Sequence, residues 1–197
     1  MLLNKQRVLV IGEFLRDYNL KTTGSEIARK KKLNQKSTAN VLQELEEEGF
    51  LTSEIEGKNK QYFLQKADKE TLLHFVLTVE HMRTILFYKK NPLIREIIAK
   101  IKLYCKGILI IFGSYAKGRE TRDSDLDLFF VGKCNEPEVR KVGEQYSIEI
   151  NIKEYPHSFL KKAAFKEDYL IKEVIKDHII VHNAEEFISM LMERCYE

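Results

Sequence analysis

Apolar and polar positions along this chain repeat with two different periods, and the changes of period mark out its elements. From Gln6 to Tyr18 the apolar residues Val8, Leu9, Ile11, Leu15 and Tyr18 recur at helical spacing. Thr23-Gly24-Ser25 offers an N-cap for a short second helix that includes Glu26, Ile27, Ala28 and Arg29. Leu33-Asn34 reads as a turn. Asn34 or Ser37 can cap a third helix running to Glu48, with Val41, Leu42 and Leu45 inward and Gly49 as its stop. Phe50 to Thr52 and Gln61 to Leu64 read as two strands joined by the polar turn from Glu56 to Lys60.

Asp68 to Lys90 carries Leu72, Leu73, Val76, Val79, Met82, Ile85 and Leu86 at three- and four-residue intervals, which predicts one long helix. Pro92 suits the first turn of the next helix, which carries Leu93, Ile94, Ile97, Ile98 and Ile101. Ile108 to Phe112 is then a continuous apolar run, as expected of a strand covered on both faces. Gly132 to Pro137 reads as a loop and Glu138 to Tyr146 as a short helix. In Ser147 to Lys153, Ile148, Ile150 and Ile152 take one face, Glu149 and Asn151 the other. The remainder predicts helices at 159–164 and 169–176, an apolar strand at 179–181, and a final helix over 184–192. This divides the chain into an N-terminal domain (1–66), a linking helix (67–91) able to pair with its counterpart in a homodimer, and a C-terminal domain (92–197).

Within that frame one stretch carries chemistry, Ile108 to Val131, ILIIFGSYAKGRETRDSDLDLFFV. The apolar strand stops at Gly113-Ser114, where a glycine lets the backbone turn and approach a ligand. Tyr115 to Lys117 can begin a helix, so the amides after Ser114 could form an anion site at its N-terminus. Ten residues after Ser114 comes Asp125-Leu126-Asp127. On a strand, positions two apart share a face, so both carboxylates point the same way. Such a pair can hold divalent cations, and is expensive to bury without one.

Gly-Ser, ten residues, then Asp-x-Asp resembles the minimal nucleotidyltransferases of the polymerase-beta-like superfamily. The resemblance covers about residues 92–183, and Lys117, Arg119 and Arg122 agree with it. It implies an α/β fold with a small mixed sheet flanked by helices. It also implies a nucleoside triphosphate substrate and two Mg2+ ions. Asp125 and Asp127 would hold the metals, while Gly113, Ser114 and Lys117 would hold the phosphates. A third carboxylate is expected on the neighbouring strand. Glu149 is the candidate metal ligand and catalytic group, and Asn151 competes with it for the position facing the metals. Related proteins are often antitoxins, so a small helical, toxin-type partner could supply the acceptor hydroxyl. The rival readings are a nucleotide-sensing DNA-binding regulator and an inactive domain kept for assembly.

Residues 5–65 resemble a winged helix-turn-helix, with the segment from Leu42 to Phe50 typical of that family. The resemblance implies that Gln35, Lys36, Ser37, Thr38 and Asn40 meet the major groove of double-stranded DNA, and that Lys58 and Lys60 meet phosphates. Charge distribution agrees. The net charge of +3 resides in residues 1–66, with 12 Lys and Arg against 9 Asp and Glu, much of it in Arg29-Lys30-Lys31-Lys32 and Lys36. Protein docking is the alternative use of such a module, with Glu44, Glu46, Glu47 and Glu48 set against a phosphate backbone.

Composition narrows the rest. Hydrophobic residues at 44% and charged residues at 32% exclude a disordered chain. No apolar run approaches the roughly 18 residues a bilayer requires, and the N-terminus lacks a signal-peptide pattern, so a cytoplasmic protein is expected. Cys105, Cys134 and Cys195 are far apart, without metal or redox spacing, and read as reduced and structural. His74 and His81 read as packing or surface residues. His178 and His182 would share a strand face as a weak metal pair.

Overall fold

The computed structural model describes residues 3–158 and 168–193. The helix expected at 159–164 and Cys195 lie outside that range. The chain divides into two compact units, one comprising the chain up to Met82 together with Met192 and Glu193 at the end of the described residues, the other Arg83–Leu191.

The first unit opens with three helices, α1 (Lys5–Phe14), α2 (Gly24–Lys31) and α3 (Gln35–Glu47), followed by an antiparallel hairpin of β1 (Leu51–Glu56) and β2 (Asn59–Leu64). The caps are those the sequence predicts. Thr23 forms a reciprocal capping box with Glu26, and Asn34 rather than Ser37 caps α3, its Oδ1 accepting the amide of Ser37. Val41, Leu42 and Leu45 of α3 are buried with Val10, Ile11 and Phe14 of α1. The first turns of α4 (Lys69–Lys90) belong to this unit, and Phe75 stacks on Phe50 at 3.9 Å. Glu13, only 3% exposed, receives Lys31 at 2.7 Å and Arg16 at 3.2 Å. Burial pushes its carboxyl up, but the Lys31 and Arg16 contacts outweigh burial and leave it below the ordinary value.

In the second unit, α5 (Pro92–Ile101) leads into β3 (Cys105–Ile111), the short helix α6 (Gly113–Lys117) and β4 (Leu126–Cys134). Then come α7 (Glu136–Gln145), β5 (Ile150–Tyr155), α8 (Tyr169–Lys176), β6 (Ile179–His182) and α9 (Ala184–Glu193). The sheet order is β5-β4-β3-β6. β3 runs antiparallel to both β4 and β6, while β4 and β5 are parallel and joined through α7. This is the small mixed sheet flanked by helices that the family resemblance implies. Leu109 and Ile111 of β3 join Leu126, Leu128 and Phe130 of β4 in a core closed by Ile94, Ile97, Ile98 and Ile101 of α5 and Val139 and Val142 of α7. Ile108, Ile110, Phe129 and Val131 alternate to the opposite face and are equally buried. Both faces are covered, which is why β3 reads as an unbroken apolar run. The last turns of α4 are tied to the edge strand, where Thr84 donates its hydroxyl to the carbonyl of Ile180 at 2.8 Å.

His178 departs from the expected strand pair. It precedes β6, is fully buried, and holds Nδ1 2.9 Å from the carbonyl of Ile175. It therefore caps the end of α8 instead of sharing a strand face with His182. No helix among the described residues is long and apolar enough to cross a membrane.

Candidate active site

β3 stops where Gly113 turns the chain. The amide of Phe112 still donates to the carbonyl of Asp127 at 3.1 Å, so β4 is bonded up to the turn. Gly113 then takes φ +68°, a left-handed conformation costly for other residues, and α6 follows for five residues. Gly118, at φ +65°, closes that helix in the same conformation. A methyl group at Gly113 would lie 2.0 Å from Oδ2 of Asp127 and 2.9 Å from its Cγ. Only hydrogen fits there. The Gly-Ser turn and the second aspartate, fourteen positions apart in sequence, are thus packed against one another.

The connection back to β4 is held by Arg119 donating its amide to the carbonyl of Ser114 at 3.0 Å and by the Thr121 amide donating to Oγ of Ser124 at 2.9 Å. Asp125, exposed and immediately before β4, and Asp127, partly buried on β4, then lie on one side. The parallel register with β5 sets Asp127 opposite Asn151. Nδ2 of Asn151 lies 3.3 Å from Oδ2 of Asp125 and 3.4 Å from Oδ1 of Asp127, so one amide group spans the two carboxylates. Glu149 precedes β5 on the same alternation as Asn151. Its carbonyl accepts the amide of Leu126 at 2.8 Å and its side chain is exposed. Asn151 is therefore the residue in contact with both aspartates. Among the described residues no three His, Cys, Asp or Glu side chains gather where a metal could be held.

Burial raises the Asp127 carboxyl above its ordinary value, and the Asn151 hydrogen bond opposes that rise. The Asp125 charge adds to it, and the Lys117 and Lys153 charges oppose it. Lys117 sits at the end of α6 with Nζ 3.3 Å from Glu173 of α8. Lys153 was not anticipated from sequence. It follows Asn151 by two positions, on the same side of β5, and its signal was the strict alternation from Glu149 onward. The arrangement offers two oxygen-donor carboxylates, a glycine turn packed against one of them, and two lysine charges that act on that same carboxylate.

In the first unit the expected groove-facing residues separate. Gln35, Lys36 and Asn40 stand exposed on α3, as does Lys58 at the hairpin turn. Ser37 exchanges hydrogen bonds with Gln6, at 2.7 and 3.0 Å. Thr38 is fully buried, its hydroxyl donating to the carbonyl of Asn34 at 2.9 Å, so it faces the core and cannot reach a groove. Helical geometry places it on the side of Val41, Leu42 and Leu45. Lys60 is paired with Glu46 at 2.6 Å, and Lys31 of the basic run is used by Glu13.

No curated protein matches the chain. A solved structure described as "Crystal structure of the toxin-antitoxin with AMP-PNP" is 16% identical, with a TM-score of 0.36, over 52% of this chain and 85% of that one. A second, "Structure of TrmBL2, an archaeal chromatin protein, shows a novel mode of DNA binding", is 12% identical, with a TM-score of 0.28, over 98% of this chain and 90% of that one. Similarity at this level carries no weight for function. A family model described as "Nucleotidyltransferase domain" matches residues 92–186. The segment that folds into the mixed sheet and holds Gly113, Ser114, Lys117, Asp125, Asp127, Glu149 and Asn151 is thus the segment that matches the nucleotidyltransferase domain family.

Proposed function

We propose that this chain is a Mg2+-dependent nucleotidyltransferase that moves a nucleoside monophosphate from a nucleoside triphosphate, with ATP the first to test, to an acceptor hydroxyl. The observation that carries the reading is the Asp125 and Asp127 pair. The two carboxylates are spanned by one amide, and that of Asp127 is set against a turn that only glycine can make. The donor set fits the metal. Mg2+ takes hard oxygen ligands and is usually held by one or two carboxylates together with substrate phosphates and water. When bound, it would neutralise charge on the triphosphate and on the departing pyrophosphate. A second ion would have to share these two carboxylates, since Glu149 does not gather with them among the described residues.

The chain's own residues then act by placement, because phosphoryl transfer needs positioning and charge stabilisation more than covalent help. Gly113 and Ser114 admit the terminal phosphates close to the backbone. Lys117 and Lys153 offset their charge. Glu149, exposed immediately before the neighbouring strand, is available to orient or deprotonate the acceptor, for which a helical toxin-type partner protein is the class to test. A nucleotide-sensing regulator or antitoxin with weak turnover is the second reading, favoured by the amide of Asn151 where a third carboxylate would stand.

Mg2+ and α-labelled ATP, incubated with lysate as acceptor pool, separate these readings. Label on a protein or nucleic acid that disappears in Asp125→Ala/Asp127→Ala supports transfer. Aspartate-dependent ATP binding without transfer supports the sensor. Absence of both sinks the reading for ATP.

For the first unit we propose a winged helix-turn-helix that docks on duplex DNA through Gln35, Lys36 and Asn40, with Lys58 on phosphate. All four are exposed, while α3 buries its opposite side. Lys36→Ala with Lys58→Ala should weaken binding across sequences and lower the salt slope by about 2. An unchanged slope would remove DNA from this face.

A further inference from the structure

Two thiols that the proposed chemistry does not use are the buried Cys105 and the partly buried Cys134. They lie 29 positions apart in sequence, but Cys105 opens β3, Cys134 closes β4, and the two are direct partners in the antiparallel register. Their sulfurs lie 3.3 Å apart, both as free thiols. The next ladder bond beyond them runs from the amide of Asn135 to the carbonyl of Tyr104 at 3.0 Å. That pattern makes the cysteines a non-hydrogen-bonded pair, the kind in which Cα atoms approach to about 4.5 Å. A disulfide accepts Cα separations of roughly 4.4–6.8 Å, so the backbone already meets its requirement. Two rungs inward stand Gly107 and Gly132, paired and both at positive φ.

Access differs between the two sulfurs. Cys105 is 6% exposed and packs into the core. Cys134 lines an open depression of about 620 Å3 that also includes Tyr104, Lys106, Lys133, Glu136 and Glu154. A small disulfide can enter there and meet Cys134 first. We propose that Cys105 and Cys134 form a thiol-disulfide exchange site for a low-molecular-weight disulfide of the glutathione type. The Cys134 thiolate attacks one sulfur of the oxidant, forming a mixed disulfide and expelling one thiolate. The Cys105 thiolate then attacks the Cys134 sulfur and expels the second. Two protein thiols are oxidised, one disulfide is reduced to two thiols, and the two protons from the cysteines end on the leaving thiolates. The ring so closed contains Gly113, Ser114, Asp125 and Asp127, so the cross-link would tether both strands that carry the site.

The test equilibrates the full chain with graded reduced and oxidised glutathione, quenches with acid, alkylates and maps peptides. The expected result is a Cys105–Cys134 linked peptide, about 2 Da lighter than its two thiol halves. Its formation midpoint should be at least about tenfold more resistant to reduced glutathione in the folded chain than in denaturant, since a bond the fold pre-aligns is favoured by the fold. Cys195→Ser should leave the linked peptide unchanged, and Cys134→Ser should abolish it. The proposal is overturned if Cys105 remains alkylatable after Cys134 has been glutathionylated. Equal midpoints in folded and unfolded chains would overturn it too, as would a linked peptide that depends on Cys195.

Discussion

Replacing Gly113 by alanine tests the contact on which the site is built. Two separate costs follow from its geometry. At φ +68° an alanine pays the left-handed penalty, about 1–2 kcal/mol. Its methyl group would also lie 2.0 Å from Oδ2 of Asp127, with Cγ at 2.9 Å and Cβ at 3.2 Å, so rotating the carboxylate alone does not clear it. Overpacking of this kind costs about 1–3 kcal/mol. Gly113→Ala should therefore destabilise the second unit by about 2–5 kcal/mol. In an Asp127→Ala background the carboxylate is gone, and the same change should cost little beyond the left-handed term. The expected coupling is about 1–3 kcal/mol, within the range seen for residues in direct contact. Peptide-resolved hydrogen exchange over β3 and β4 in all four variants measures it without assuming that the whole chain unfolds in one step. Equal costs in the two backgrounds would show that Asp127 does not rest against the turn, and the reasoning from glycine to metal site would fail with it.

Asp127 also predicts a pH dependence. Its pKa is raised in the fold, so its contribution to stability is fully present at low pH. That contribution is lost as pH rises from the ordinary aspartate value through the raised one. Thermal melting in EDTA should show this loss, Asp127→Asn should flatten it, and Mg2+ should reverse it in the natural chain only. Glu13 has the opposite sign. Its lowered value means a contribution present above the ordinary glutamate range and lost on acidification, and Glu13→Gln should destabilise the first unit by about 2 kcal/mol at pH 7; equal stability at neutral pH would discount the Lys31 and Arg16 contacts. Asn151→Asp places a third carboxylate beside the other two. Calorimetric Mg2+ affinity should rise about tenfold and any nucleotidyl transfer with it, whereas unchanged affinity would mean that residue 151 does not face the metal.

Much of this architecture is written locally. The helix caps at Thr23 and Asn34, the apolar period of α5, and the unbroken run of β3 depend on neighbours a few positions away, so reading along the chain finds them. The Gly-Ser turn and the paired aspartates were legible for the same reason, since strand alternation alone sends Asp125 and Asp127 to one side. Register is another matter. Glu149 and Asn151 share a face, and only the parallel pairing of β5 with β4 sets Asn151 across from Asp127 and leaves Glu149 in solvent. The same holds for Cys105 and Cys134, which look unrelated until β3 and β4 run antiparallel, and for Lys31, whose partner Glu13 lies on another helix. Thr38 was misjudged because its helix carries a polar sequence around one inward position, and burial there is decided by packing against α1 and α2. The chain's periodicities determined which elements form and which chemical groups they carry. Pairing and packing between distant segments, where side chains meet by register, decided which of those groups come together.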